Sequence, residues 1–348
     1  IRYAREQRAK LILMTHLGRP KGERTPEFSV IPVAERLAEL LDDEVIVPDD
    51  CIGDGVRSLH RGLKDSQVML LENLRFHREE TEGDELFGRE LASYGAIFVN
   101  EAFGTMHRAH ASIAQVPRFV QDKGMGFLVK KEFESLSKLL AGYREPFIAV
   151  LGGAKVSDKI GVIESLLNRA HTLVIGGAMA NTFLAAQGVD MADSLVEVEK
   201  LSVARKILRL AADKRVRIEL PVDHVVTREI GPDPETRVVS NGSIPAGMKS
   251  VDLGPETIAR FTAAISEART LFWNGPMGVY EVPALRIGTE KIAAAVADIN
   301  GFSVVGGGDS VAAVHQSGVT PFISHISTGG GASLEFVEGK VLPGFTAL

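Results

Sequence analysis

The sequence is short of cysteine: Cys51 is the only one in 348 residues. A single thiol excludes an internal disulfide framework and any multi-cysteine metal site. It also fits a reducing compartment, so a cytoplasmic protein is expected. Long apolar runs are missing too. No stretch reaches the roughly 18 residues that read as a membrane-crossing helix, and no secretory leader opens the sequence, so no membrane partner is expected. Positive charge is in deficit, with 39 Lys and Arg against 45 Asp and Glu, a formal net charge of −6. A general nucleic-acid binder needs a basic face, so nucleic acid is not an expected partner. Several familiar signatures are absent. Gly-Lys occurs only at 339–340 and is followed by Val341, so there is no G-x-x-x-x-G-K-[ST] phosphate loop. There is no complete G-x-G-x-x-G, which sets aside a dinucleotide-dependent dehydrogenase, and neither H-E-x-x-H nor G-x-S-x-G occurs. His60, His77, His171, His224 and His315 show no metal-ligand spacing and read as structural.

Glycine and apolar residues are plentiful. The chain is 45% hydrophobic with 35 glycines, enough for sizeable cores, and its length suggests about two domains. A short apolar run ending at a polar or glycine-rich corner recurs: LILMTH (11–16), VMLLEN (68–73), AIFVNEAFG (96–104), FIAVLGGAK (147–155), TLVIGGAM (172–179) and LFWNGPMG (271–278). Between these lie helical patterns such as PVAERLAELL (32–41), KIGVIESLLNRA (159–170) and ETIARFTAAISEA (256–268). Continuous apolar strands alternating with helices predict an α/β fold of parallel sheets covered on both faces. Ligands of such sheets bind beyond the carboxyl ends of the strands.

The centre of this pattern is 302–336, where FSVVGGGDSVAAV and FISHISTGGGASLEF each run from apolar residues into three glycines and then a helix-compatible segment. A glycine loop opening a helix turns free N–H groups and a positive dipole end toward an anion, with phosphate the usual occupant. Three earlier corners each deliver an arginine: His16-Leu17-Gly18-Arg19, Glu72-Asn73-Leu74-Arg75 and the run Asn100 to His110 carrying Arg108. Arg19, Arg75 and Arg108 are expected to converge on one small anion from the ends of neighbouring strands roughly 5 Å apart. The segment 124–142, bounded by glycines, reads as a helix connecting two domains, the first over 1–123 with the tail from about 337 to 348 and the second over 143–336. In the second, Ser157 is an expected N-cap for the helix that follows, while Lys155 and Lys159 read as a phosphate clamp. Asp309 reads as a helix cap or as a Mg²⁺ ligand. Glu281 reads as a ribose acceptor or a structural carboxylate.

HLGRP (16–20), ENLRF (72–76), NEAFGTMHRAHAS (100–112), LGGAKVSDKI (151–160), WNGPMGVYE (273–281), GGGDS (306–310) and STGGGASLEFVEGKVLPG (327–344) together resemble the phosphoglycerate kinase family, in order and in register. The resemblance implies two Rossmann-like domains facing each other across a cleft, closing to bring their substrates together, with the tail returning to the first. It implies reversible phosphoryl transfer between 1,3-bisphosphoglycerate and ADP, giving 3-phosphoglycerate and Mg-ATP, by a monomer. His16, Leu17, Gly18, Arg19, Arg75 and Arg108 then fall on the phosphoglycerate site. Lys155 and Gly329, Gly330 and Gly331 fall on the transferring group. Lys159, Gly176, Gly177, Asn274, Pro276, Glu281, Gly307, Gly308, Asp309 and Ser310, with Lys155, fall on the nucleotide site, Asp309 as the Mg²⁺ ligand. The residues agree with that chemistry: the acceptor is a carboxylate, ionised at neutral pH, so charge neutralisation rather than a general base is needed.

Glu101, Met106 and Tyr280 stand where the family usually has aspartate, alanine and phenylalanine, with little effect expected. The chain begins at Ile1, and the family's first strand, with an aspartate, an asparagine and an arginine, has no counterpart. Residues 1–10 read as the end of a helix feeding the run at 11–16, so the natural product is expected to exceed 37.5 kDa. The alternative is an inactive nucleotide-binding protein of the same fold.

Overall fold

The structure is a computed structural model describing residues 1–348. It divides into two compact units, Ile1–Val129 with Val341–Leu348, and Lys130–Lys340. In the first, strands β1 (Leu11–Leu13), β2 (Val45–Ile46) and β3 (Val68–Leu70) form a parallel sheet in the order β1-β3-β2. Strands β4 (Ile97–Asn100) and β5 (Asp122–Met125) pair in parallel by themselves. Met69, Leu71, Phe87, Leu91, Tyr94 and Phe98 build the core, and Cys51 sits in it fully buried, packing as a small hydrophobe. The helix expected at 32–41 spans Ile31–Leu41. The last residues belong to this unit: Gly344 N–H donates to the Met106 carbonyl at 2.9 Å, and Leu348 packs on the core.

Strands in this unit are shorter than their apolar runs. The run at 11–16 leaves the ladder after Leu13, because its last polar residues take up the corner, where Thr15 C=O accepts from Leu74 N–H. The expectation that all three arginine corners end strands of one sheet is corrected likewise. β4 is not hydrogen-bonded to β1 or β3, so Arg108 arrives from a separate pair of strands.

In the second unit, β6 (Phe147–Leu151), β7 (Thr172–Ile175) and β8 (Arg217–Glu219) begin a larger sheet. Strands β9 (Asp223–Thr227), β10 (Arg237–Ser240) and β11 (Lys249–Leu253) form a small antiparallel sheet of order β10-β9-β11 that the apolar-run pattern did not reveal, since β10 is short and mostly exposed. β12 (Thr270–Asn274), β13 (Phe302–Gly306) and β14 (His325–Ile326) complete the main sheet, parallel throughout in the order β14-β13-β12-β6-β7-β8. Every residue of β6, β7 and β12 is buried. That is what a strand covered on both faces requires, and it explains their unbroken apolar character.

The connecting helix is Phe127–Leu140 rather than the whole of 124–142, because Gly124 and Met125 are spent in β5. Glu101 accepts from the N–H groups of Leu128 (2.9 Å) and Val129 (3.2 Å), and the division between units falls one residue later. The tail boundary also moves. Ser165 Oγ and Arg169 Nη2 donate to the Val337 carbonyl at 3.0 and 2.7 Å, which keeps 337–340 in the second unit.

Candidate active site

In the first unit a cavity of about 530 Å³ is lined by Arg19, Lys21, Arg75, Arg78, Thr81, Glu82, Arg108 and His110. The three arginines singled out in the sequence therefore share one space with two further cations. The ENLRF motif explains how Arg75 gets there. Glu72 accepts from Asn73 N–H (2.7 Å), Val30 N–H (2.9 Å) and Ser29 Oγ (2.7 Å). Asn73 donates to the carbonyls of Leu17 (2.8 Å) and Phe28 (2.9 Å), and its Oδ1 accepts from Arg75 N–H at 3.0 Å. Arg75 Nη1 then donates to the Gly18 carbonyl at 2.8 Å. Leu17 and Gly18 thus serve the corner through their backbone. Gly18 has φ +62°, and a Cβ there would lie 2.3 Å from the Phe28 ring, so no other residue fits.

Arg75 is only 7% exposed, and its Nε and Nη2 are buried with no partner. A desolvated guanidinium with two unspent donors is costly unless an anion completes it. His16 lies close by. Burial first, then the charges of Arg75 and its neighbours, lowers its pKa to about 4, and His110 is lowered to about 4 by burial and the same arginines. Both rings are therefore neutral at pH 7.

In the second unit three glycine turns close on one another. Gly152 N–H donates to Asn274 C=O (3.0 Å), Gly153 N–H to Pro276 C=O (2.9 Å), Gly176 N–H to Leu151 C=O (2.9 Å) and Gly177 N–H to Met277 C=O (3.1 Å). Gly177 has φ +64°, and a Cβ would stand 2.7 Å from Gly153 O and 2.9 Å from Pro276 O. Here glycine is demanded by backbone packing itself. Lys159, 9% exposed, donates through Nζ to Asn274 Oδ1, and Asn274 Nδ2 remains buried without a partner. Burial lowers the Lys159 pKa to about 8, partly opposed by the charges of Asp158 and Asp309.

Two caps differ from expectation. Ser157 does not cap the next helix, which begins at Ile160; its hydroxyl donates to Glu197 Oε1 at 2.6 Å. Asp309 does not cap either. The helix Gly308–Gln316 has Gly307 at its N-cap position, and Asp309 is an exposed first-turn carboxylate that makes no hydrogen bond to the protein. Ser310 is fully buried, its Oγ accepting from Gly275 N–H at 2.5 Å, so that hydroxyl is spent inside the fold. Gly308, Lys155 and Glu281 are exposed. Gly329 to Gly331 lead from β14 into the helix Gly331–Val337, with Gly330 at φ +53°.

The profile of the family described as phosphoglycerate kinase matches residues 1–340. The chain belongs to the phosphoglycerate kinase family. Similar proteins include the phosphoglycerate kinases of Anaeromyxobacter dehalogenans, 53% identical over all of this chain and 88% of that protein, and of Moorella thermoacetica, 51% identical over the same shares. Among solved structures, phosphoglycerate kinase from Coxiella burnetii superposes with a TM-score of 0.90 at 38% identity, covering 99% of this chain and 87% of its own. The enzyme from Pyrococcus horikoshii does so at 0.85 and 34% identity, over 100% and 88%. The protein is accordingly a phosphotransferase of glycolysis, moving a phosphoryl group reversibly between 1,3-bisphosphoglycerate and ADP. Its substrates are small molecules, and no helix is long and apolar enough to cross a membrane. Nothing found supports the inactive alternative.

Some parts of this phosphoglycerate kinase were invisible in sequence because they depend on distant residues meeting. Glu132, 2% exposed, accepts from His325 Nε2 (2.8 Å), Thr328 N–H (2.7 Å) and Thr328 Oγ1 (2.9 Å), anchoring the loop before Gly329. Glu80, also 2% exposed, accepts from Ser112 N–H (2.9 Å) and Oγ (2.6 Å), fixing the corner that carries Arg108 and His110. His77, read as structural, donates through Nε2 to Asp50 Oδ1 (2.7 Å) beside buried Cys51, a trio no spacing announces. Glu80 and Glu132 each stand among other charged residues, Arg78-Glu79 and Lys130-Lys131 just before them, so nothing local set either apart.

Proposed function

We propose that the cationic cavity of the first unit holds the phosphoglycerate substrate and that the glycine turns of the second hold ADP or ATP. Arg19, Arg75 and Arg108 bind the anion, with His16 and His110 gaining protons as it arrives. Lys155 and the N–H groups at Gly329 to Gly331 meet the transferring phosphoryl group. Lys159 and the helix opening at Gly307 and Gly308 take nucleotide phosphates, while Gly176, Gly177, Asn274 and Pro276 line the adenosine pocket and Glu281 meets the ribose. The residues present fit magnesium: Asp309 is an exposed carboxylate with no protein partner, at the mouth of a glycine turn. One carboxylate plus phosphate oxygens is a usual magnesium set, and the ion would neutralise phosphate charge. We place the reaction in the cytoplasm, in a monomer, in keeping with the free thiol of Cys51.

The observation that carries this reading is the pair of buried, unpartnered nitrogens of Arg75 in a cavity with four other permanent cations. Steady-state kinetics of Arg75→Ala test it. A charge-assisted bidentate contact supplies about 2–4 kcal/mol, so the phosphoglycerate KM should rise by about 30-fold or more. The nucleotide KM should stay within about twofold. A phosphoglycerate KM that does not move would overturn the assignment.

A further inference from the structure

Lys155 sits on an irregular stretch, anchored before it by Gly153 N–H on the Pro276 carbonyl (2.9 Å) and after it by the buried side chain of Val156. Between the end of β6 at Leu151 and the helix start at Ile160 the chain reads Gly-Gly-Ala-Lys-Val-Ser-Asp-Lys, with Gly153 at φ +105°. Lys155 is exposed. The hydrogen bonds that tie 155–157 to distant sequence all end on one side chain. Glu197 Oε2 accepts from Val156 N–H at 2.5 Å and Ser157 N–H at 3.1 Å, and its Oε1 accepts from Ser157 Oγ at 2.6 Å.

Glu197 is itself held. It is 8% exposed, and its N–H donates to Thr182 Oγ1 at 3.0 Å, while Asn181 Nδ2 donates to the Leu195 carbonyl at 3.2 Å. Asn181 and Thr182 are buried on the helix Gly177–Ala186, whose first residue is locked against Met277. A chain of contacts therefore runs from a packed helix through Glu197 to the backbone on the C-terminal side of Lys155. Reactive geometry tolerates little misplacement, and without Glu197 the backbone N–H groups just after Lys155 would lose their only distant hydrogen-bond acceptor.

From this geometry we propose that Glu197 is a positioning residue that sets Lys155 for phosphoryl transfer. The inference rests on the role given to Lys155 above. Glu197 acts by accepting three hydrogen bonds, and its charge attraction to Lys155 is secondary to them. Glutamine can do the same, its oxygen accepting from both N–H groups and its amide donating to Ser157 Oγ.

The test is a double-mutant cycle on the full chain, read as kcat, both KM values and Tm. Glu197→Ala should lower kcat about tenfold or more, the loss expected when a hydrogen-bonded charged acceptor is removed. The phosphoglycerate KM should stay within about twofold, and Glu197→Gln should recover most of kcat. In a Lys155→Ala background, Glu197→Ala should cost nothing more, because the group it positions is gone. Additive losses in the double variant, or an equal loss in Glu197→Gln and Glu197→Ala, would overturn the proposal. An unchanged kcat in Lys155→Ala alone would instead overturn the reading of Lys155. If Glu197→Ala does not fold, Ser157→Ala removes one of the three bonds, and its smaller loss should vanish in the same background.

Discussion

Lys159 donates its ammonium to the amide oxygen of Asn274, a partner 115 positions along the chain, while the other end of that amide is buried and unpaired. A Cβ on Gly307 would stand 2.8 Å from the idle Nδ2, so the glycine turn before the helix Gly308–Gln316 and the Lys159–Asn274 pair share one small space. The pair is assembled with one buried donor to spare.

The lowered Lys159 pKa gives this pair a pH signature. Burial brings it to about 8, so the free protein loses the charge as pH rises through that value. The profile of kcat/KM for nucleotide reports groups of the free enzyme and should fall above about pH 8. In Lys159→Arg, whose charge does not titrate in this range, that fall should disappear. A wild-type profile flat to pH 9 would remove Lys159 from the nucleotide site.

His16 and His110 give the first unit a stability signature. Each is lowered from 6.5 in the unfolded chain to about 4 in the fold. Between those values the unfolded chain binds more protons than the native one, so stability rises with pH across this window and falls as pH drops. Tm should decline from about pH 6.5 toward pH 4, and less steeply in the variant carrying both His16→Asn and His110→Asn. Added 3-phosphoglycerate should also flatten the decline, because a bound anion favours the protonated rings. Parallel curves for wild type and the double variant would show that these histidines are not desolvated in the way described.

Asp309 is expected to matter to chemistry and hardly at all to folding. It makes no cap hydrogen bond, and a first-turn carboxylate contributes only about 0.3–1 kcal/mol through the dipole. Asp309→Asn should therefore melt within a few degrees of wild type, with a large drop in kcat and a raised Mg²⁺ requirement. Titration of activity with Mg²⁺ checks this; an unchanged half-saturation would remove the metal role.

The parts of the fold legible in sequence are those where one physical demand acts on consecutive residues. The strands at 147–151 and 270–274 are buried on both faces, so their apolar runs stand out, as does the amphipathic helix at 255–266. The glycine corners were legible for the same reason, although Gly177 turns out to be required by the carbonyls of Gly153 and Pro276 before any nucleotide is considered. What the sequence hid are choices made between distant segments. Ser157 has the chemistry of an N-cap, but Lys159 takes that position two residues later, and the Ser157 hydroxyl donates to Glu197 instead. Asp309 has the chemistry of a cap too, yet the turn places Gly307 at that position and Asp309 two residues further in. The third arginine corner looked like its fellows in sequence, and only the ladder tells that β4 pairs elsewhere.

The central claim is that the first unit is an anion site completed by phosphoglycerate, and a structure of the protein with 3-phosphoglycerate tests it most directly. Arg75 Nε and Nη2, now buried and unpaired, should each lie within hydrogen-bond distance of a ligand carboxylate or phosphate oxygen, with Arg19 and Arg108 around the same molecule. A ligand bound elsewhere, with those two nitrogens still unpaired, would contradict the account.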